Sequence, residues 1–433
     1  MRQSAAGMSR AANDRQGRDC VRILEGIRVI DVTAYAFVPA AGGVLAHWGA
    51  DVIKVESPKA PDPMRFIGGS AEPGRSSPTF KHYSRGKRSV AIDLATEAGQ
   101  DLLYRLAADA DVFLTSYLAP TRRKLRIDVD DIRRVNPKII YARGSGYGPK
   151  GPDADRPGFD AIAWWYRSSL VETAMKAADA DWPVTMIGHG DGMSGLVLAG
   201  GICTALFHRE RTGEPTVVDG SLLGTALWFN GLELIGAQGV PITGAIPGKL
   251  RSGPAERKGP GGTPPAGPAT MQIYQTGDSR FVNLLFLGDD DRDFIDLAHR
   301  IDRPEWVSDP RFADARKRFA HADELRALLD AEFAARTLDE WRAILAGARG
   351  AWAAVQSREE ALVDPQTEAN GYMRHVDYPG GGFRLPVPAI LFDEDGGAPP
   401  PAPDFAEHTD AVLSEIGCGG EEIARLRQAG VVA

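Results

Sequence analysis

Asp191 stands among glycines, in the stretch Gly188-His189-Gly190-Asp191-Gly192-Met193-Ser194-Gly195. The apolar run Leu196 to Phe207 follows at once and predicts a helix over 193–211, with Asp191 at its start. Glycines leave room for a ligand to approach the backbone. A carboxylate at a helix start faces free N–H groups and the positive end of the dipole, which favours its ionised form. Two roles fit such a residue: a helix cap, or a nucleophile that accepts a group covalently. Arg85, Lys87 and Arg88 form one basic cluster, and Arg122, Arg123, Lys124 and Arg126 form another. Both fall at strand–helix connections, where they suit a phosphorylated ligand or a solvated face. Residues 240–270 are rich in Gly and Pro, with Gly259, Gly261 and Gly262 at the centre. Loops of this length serve as lids or lack fixed structure.

Several other chemistries are excluded by pattern. The eight histidines are scattered, with no pair at metal-ligand spacing, so no metal site is expected. There is no Gly-x-Ser-x-Gly elbow and no Walker loop. Gly144-Ser145-Gly146-Tyr147-Gly148 has the look of a dinucleotide loop, but Pro149, Gly151, Pro152 and Pro157 block the helix that must follow. A turn at the carboxyl edge of a sheet is expected there instead. The net charge of −8 offers no basic footprint for nucleic acid.

Cys20, Cys203 and Cys418 show no paired or metal spacing, as suits a reducing, cytoplasmic setting, with Cys203 as a small core residue. No apolar run is expected to reach the roughly 18–20 residues of a membrane span. Residues 1–21 are polar and lack a hydrophobic signal core, so they read as a disordered extension.

The elements that must position Asp191 follow a regular alternation. Strands are predicted at 27–32, 51–56, 89–93, 112–114 and 138–143, and helices at 40–48, 97–108 and 130–135. Another strand fits 217–221 and runs into a helix through Gly231. Strand, helix and parallel strand in succession define a doubly wound α/β domain with a mostly parallel sheet. Farther on, 273–274 and 281–287 read as a hairpin, followed by helices at 291–299, 322–335 and 338–346. A short strand near 382–385 and helices at 407–413 and 421–428 close the chain.

The order of the motifs resembles the class III CoA-transferase family, which includes formyl-CoA transferase and alpha-methylacyl-CoA racemase. The series begins with Leu24-Glu25-Gly26-Ile27-Arg28-Val29-Ile30-Asp31, then Gly49-Ala50-Asp51-Val52-Ile53-Lys54-Val55-Glu56 and Arg85-Gly86-Lys87-Arg88-Ser89-Val90. Asn136-Pro137, Gly146-Tyr147-Gly148, Arg156-Pro157-Gly158-Phe159-Asp160 and Gly190-Asp191-Gly192 follow in order. Arg209-Glu210-Arg211-Thr212-Gly213, Val218-Asp219-Gly220-Ser221 and Glu407-His408-Thr409-Asp410 complete it. The resemblance covers the chain from about Leu24 to its end.

The resemblance implies a large CoA-binding domain from residues 22–225, joined again by 346–433. A linker and a small inserted α+β domain would occupy 226–345. It implies an interlocked homodimer whose active site lies at the subunit interface. The substrates would be a coenzyme A thioester and a carboxylic acid, with no tightly bound cofactor. Asp191 would attack the thioester, pass through an acyl anhydride and an aspartyl-CoA thioester, and return CoA to a new acid. Gly261 and Gly262 would belong to a loop that closes over the aspartate and excludes water.

Lys87, with Arg85 and Arg88 beside it, matches a CoA-contacting motif. Lys124 stands where the family often has arginine, and Tyr117 is placed to stack on adenine. Ser57 and Ser116 depart from the family pattern at two further CoA positions. The racemase branch needs acid/base groups on both faces of the α-carbon and has a histidine where this chain has Phe159. Phenylalanine moves no proton, which favours transfer over racemisation. His189 would lie beside Asp191 rather than across the substrate, so it does not replace that base. Asp160 is expected to cap a helix starting at Ala161. Trp164, Trp165 and Tyr166 fit either an acyl pocket or the core. A non-catalytic acyl-CoA-binding protein is the reading from another class, and the intact Gly190-Asp191-Gly192 speaks against it.

Overall fold

In the computed structural model the described residues are 22–67, 76–178, 183, 185, 186, 188–239, 267–398 and 400–433. The amino-terminal extension 1–21 and the glycine loop with Gly261 and Gly262 lie outside them. Six short runs rich in β-branched and apolar residues form strands: β1 (Arg28–Val32), β2 (Asp51–Glu56), β3 (Arg88–Ala91), β4 (Val112–Thr115), β5 (Ile140–Ser145) and β6 (Val217–Ser221). They make one sheet in the order β3-β2-β1-β4-β5-β6, and every pairing in it is parallel. Connections to parallel strands need crossovers, and helices supply them. These are α1 (Phe37–His47), α2 (Pro78–Ser84), α3 (Glu97–Ala108), α4 (Ala119–Leu125), α5 (Val129–Val135), α6 (Leu170–Ala178) and α7 (His189–Thr212). Strand order reverses direction between β1 and β4, so the loops leaving those two carboxyl ends diverge and open a crevice.

The chain divides into two compact units. One holds the six-stranded sheet and includes Thr185–Gly231 and Asp364–Ala433. Its carboxyl-terminal part lies along β3: His408 N–H donates to Ser89 O, and Asp93 N–H donates to Val431 O. The other unit is built mainly from Leu232–Val363. It carries an antiparallel sheet of Ile273–Gln275, Phe281–Leu285 and Ala351–Ala354. Its core stacks Tyr274 on Phe333 and packs Phe333 against Trp341.

Two features of the sheet unit place the crevice. The first is helix packing. A Cβ on Gly195 would lie 2.5 Å from Ala40 Cβ and 2.9 Å from Phe37 O, so only glycine lets α7 seat this closely on α1. The second is a buried ionic network under the ends of β1, β2 and β3. Lys87 Nζ pairs with Asp31 at 2.8 Å, Lys54 Nζ with Asp62 at 2.8 Å, and Arg65 with Glu56 at 2.6 Å. Buried charges persist only when paired and hydrogen-bonded, and here three cations meet three anions. Burial alone would lower the Lys54 ammonium, but Asp62, Asp31 and Glu56 outweigh it and hold the ammonium above its usual range. Asp62 also accepts the Tyr35 N–H at 3.0 Å, which fixes the loop after β1.

The predicted strands and most helices stand where periodicity puts them. Helix α7 begins four residues earlier than predicted, at His189, so Asp191 lies inside its first turn. The helix expected from Ala161 is a π-helical segment, Asp160–Tyr166, whose cap position is Phe159. Neither α2 nor α4 is predicted, because each is a single short segment with too few apolar residues to show a period. Cys203 is partly exposed rather than core. The expectation about apolar runs also needs correction: α7 is long and apolar enough to cross a membrane by length and composition. In this fold it packs on α1, with Leu198, Ala199 and Ile202 buried.

Gly195→Ala should force α1 and α7 apart and cost about 1–3 kcal/mol, the usual range for overpacking. Urea unfolding of the two proteins measures it, and an unchanged midpoint would refute the close-packing argument.

Candidate active site

A cavity of about 590 Å³ occupies the crevice at the carboxyl ends of β1, β4 and β5. Tyr35 lines it from the loop after β1 with Phe37 and Val38 from the start of α1, Ser116 and Tyr117 from the loop after β4 with Thr121 from α4, and Ser145 and Gly146 from the end of β5. Phe159, Asp160 and Asp191 complete the wall. The segment bearing Phe159 and Asp160 reaches the sheet edge through a contact between glycines. A Cβ on Gly146 would lie 2.5 Å from Gly158 Cα, so neither position accepts a side chain without displacement.

Asp160 turns out to organise the site. Asp160 is 6% exposed, and its carboxylate accepts the N–H groups of Gly188 at 2.9 Å and Gly190 at 2.8 Å. It therefore caps α7 from outside the helix rather than the segment that begins at its own position. The glycines have matching reasons. Gly188 turns in the left-handed region with φ 82°, where side chains are strained. A Cβ on Gly190 would lie 2.4 Å from Asp160 Oδ1 and 2.3 Å from Trp164 Cγ. The glycine nest is a socket for Asp160.

Asp191 follows Gly190 directly in the same first turn, half-buried at the cavity wall. Burial, reinforced by the neighbouring Asp160 charge, raises its carboxyl to about 7. The expectation of a firmly ionised carboxylate is thus corrected. Two N–H groups of the helix start, those of Gly188 and Gly190, are donated to Asp160 instead, and the helix dipole does not offset desolvation. Among the described residues nothing hydrogen-bonds the Asp191 carboxylate, which leaves it open to the cavity. Tyr83 adds a hydroxyl beside this turn, donating to Gly188 O at 3.3 Å. Burial, with the Asp191 and Asp160 charges, pushes that phenol up to about 12, so it stays a donor.

Of the residues singled out for CoA, Tyr117 lines the cavity with Asp191. Arg122 holds the Tyr117 loop, donating to Tyr117 O at 2.8 Å while pairing with Asp128. Lys87 is buried under α1, its ammonium shared by Asp31 and Pro39 O. Arg85 is buried and donates to Pro386 O. Arg88 bridges Asp51 and Glu415. Lys124 is exposed in the last turn of α4. Neither these four cations nor the other described basic residues line the cavity. Trp164 and Trp165 are buried core residues, while Tyr166 is exposed.

Two residues near the site went unread in the sequence, Tyr35 and Tyr83. The position of Tyr35, directly after the strand at the switch point, was the available signal. Tyr83 sits on the unpredicted α2 and left none.

A doubly wound sheet with a carboxylate facing a large cavity at its switch point defines an α/β enzyme class that works on a bound organic ligand. Residues 24–409 match the model of the CoA-transferase family III, and the chain belongs to that family. It is similar to (R)-2-hydroxy-4-methylpentanoate CoA-transferase of Clostridioides difficile, 29% identical over 415 residues that cover 95% of this chain and 99% of that one. It is 30% identical to cinnamoyl-CoA:phenyllactate CoA-transferase of Clostridium sporogenes, over 94% of this chain and 96% of that one. The crystal structure of the hypothetical protein Rv3272 from Mycobacterium tuberculosis superposes with a TM-score of 0.74 and 27% identity, over 91% of this chain and 100% of that one. The chain is accordingly a CoA-transferase.

The raised Asp191 carboxyl has a stability consequence. It binds its proton more tightly folded than unfolded, so its contribution is full below the unfolded value of about 3.9 and is lost as pH rises through about 7. Asp191→Asn, which stays neutral, should therefore leave Tm nearly unchanged at pH 4 and raise it at pH 8. Thermal melts at the two values check this, and a Tm gain confined to pH 4 would contradict it.

Proposed function

We propose that this enzyme moves CoA between carboxylic acids with Asp191 as covalent nucleophile. The observation that carries the reading is the Asp191 carboxylate itself: desolvated, free of hydrogen-bond partners among the described residues, and open to the cavity. Desolvation makes a carboxylate a stronger nucleophile, and a value near 7 keeps a large fraction ionised at neutral pH.

The Asp191 oxygen attacks the thioester carbonyl, the C–S bond breaks, and the CoA thiolate leaves an acyl-aspartyl anhydride. The thiolate then attacks the Asp191 carbonyl, releasing the first acid and forming an aspartyl-CoA thioester. The acceptor carboxylate attacks that thioester and expels the thiolate again, giving a second anhydride. Attack of the thiolate on the new acyl carbonyl yields the new acyl-CoA and restores the Asp191 carboxylate. Tyr117 serves CoA from the cavity wall. Asp160 is a positioning residue, holding the first turn of α7 through the Gly188 and Gly190 N–H groups.

The assembly is proposed to be a homodimer, interlocked as the family resemblance implies. Supporting it, the consecutive residues Leu227, Trp228 and Phe229 are all exposed in the single chain, at 39%, 83% and 50%, a clustered apolar surface that an interface would cover. Sedimentation equilibrium should give twice the chain mass, and Trp228→Asp should shift it toward monomer. A wild-type monomer would remove the dimer.

Asp191→Ala should abolish transfer, by at least about 10⁴-fold in kcat, since a covalent route has no substitute nucleophile. Hydroxylamine added with acyl-CoA should leave a hydroxamate on Asp191, detected by peptide mass spectrometry. In the wild type, kcat/KM should rise with pH and level off above about 7, as Asp191 ionises. Absence of the hydroxamate together with an active Asp191→Ala variant would eliminate the covalent mechanism.

A further inference from the structure

The cavity wall also bears on which acid is used, an inference that rests on the transferase reading above. The lining is apolar over most of its extent, from Tyr35, Phe37, Val38, Met64, Ile67 and Phe159. Its charged members among the described residues are Asp160 and Asp191, both carboxylates, and no Lys, Arg or His joins them. Tyr35 and Phe159 form a built aromatic wall. Their rings meet edge to face at 5.2 Å with an interplanar angle of 79°. Both residues line the cavity and stay partly uncovered, Tyr35 at 40% and Phe159 at 48% exposure. Bare aromatic faces on a cavity wall gain free energy when an apolar group covers them.

The backbone adds an independent observation. Tyr35 has φ 69°, a left-handed conformation that is costly for a bulky side chain. Strain of this kind persists only where surrounding contacts hold it. Here Asp62 accepts the Tyr35 N–H at 3.0 Å, and Ser116 Oγ accepts the Ala34 N–H at 2.9 Å. Asp62 is in turn held by buried Lys54. The ionic network thus turns the Tyr35 ring onto Phe159.

We infer that the site selects monocarboxylic acids with an apolar side chain about the size of a ring, packed against the single wall that Tyr35 and Phe159 form together. One carboxylate is consumed by the covalent chemistry at Asp191. A second carboxylate on the same acid would be stripped of water against apolar walls, near two like charges and, among the described residues, with no cation on the lining to pair it. An unpaired desolvated charge is strongly disfavoured.

Identity exchange tests this without knowledge of the natural donor. Each acid's own CoA thioester is incubated with the deuterated free acid, and label entering the thioester is followed by mass spectrometry. The panel is 3-phenylpropanoate, 4-methylpentanoate, propanoate, glutarate and succinate. Wild-type kcat/KM for 3-phenylpropanoate should exceed that for glutarate by about a hundredfold. Phe159→Ala should lower the ratio of 3-phenylpropanoate to propanoate by about tenfold. Faster exchange of glutarate or succinate, or an unchanged ratio in Phe159→Ala, overturns the inference while the Asp191 hydroxamate keeps the transferase reading intact. No exchange with any of the acids and no hydroxamate on Asp191 overturns both.

Discussion

The carboxylate of Asp160, seated on the N–H groups of Gly188 and Gly190, is the contact on which the site depends. It joins the segment after β5 to the amino end of α7 and thereby sets where the first turn of that helix lies. It requires glycine at 190, because any side chain would collide with Asp160 and Trp164. It also sets the electrostatics. A buried anion occupying the positive end of the helix leaves the next carboxylate, Asp191, without donors among the described residues and beside a like charge. Desolvation and repulsion then lift Asp191 to about 7. One interaction both places the nucleophile and brings its ionisation into the neutral range.

A second layer of constraint lies beneath the crevice. The pairs Lys54–Asp62, Arg65–Glu56 and Lys87–Asp31 are buried, and breaking any one would strand a charge in the interior. They tie the ends of β1, β2 and β3 to the loops above them, including the strained Tyr35. The cations that composition alone suggests for a phosphorylated ligand are thus divided in role. Lys87 and Arg85 serve the interior, Arg88 the surface pairing with Asp51 and Glu415, and Lys124 remains in solvent. A basic residue's partner is decided by which carboxylate the fold brings to it, and linear order does not disclose that.

Much of the fold was legible. The alternation of β-branched strands with helices such as Glu97–Ala108 fixes a parallel sheet, because buried parallel strands read as continuous apolar runs and amphipathic helices keep their period. Short elements escaped. The helices Pro78–Ser84 and Ala119–Leu125 span 7 residues each, too few for periodicity to register. The long apolar run of α7 was likewise underestimated because its start was placed after Asp191 rather than at His189.

The sequence by itself determined the sheet architecture, the family and the identity of Asp191 as the residue to watch. All three rest on local periodicity and on the order of motifs along the chain, which need no knowledge of distant contacts. Tertiary structure decided the rest. Asp160 lies 28 residues before Gly188, and only folding shows that it, not Asp191, takes the helix N–H groups. The same holds for Tyr35 against Phe159, more than a hundred residues apart, and for the burial that raises Asp191. Hydrogen-bond allocation and desolvation are properties of the packed interior, and they convert a carboxylate among glycines into a nucleophile tuned near neutrality.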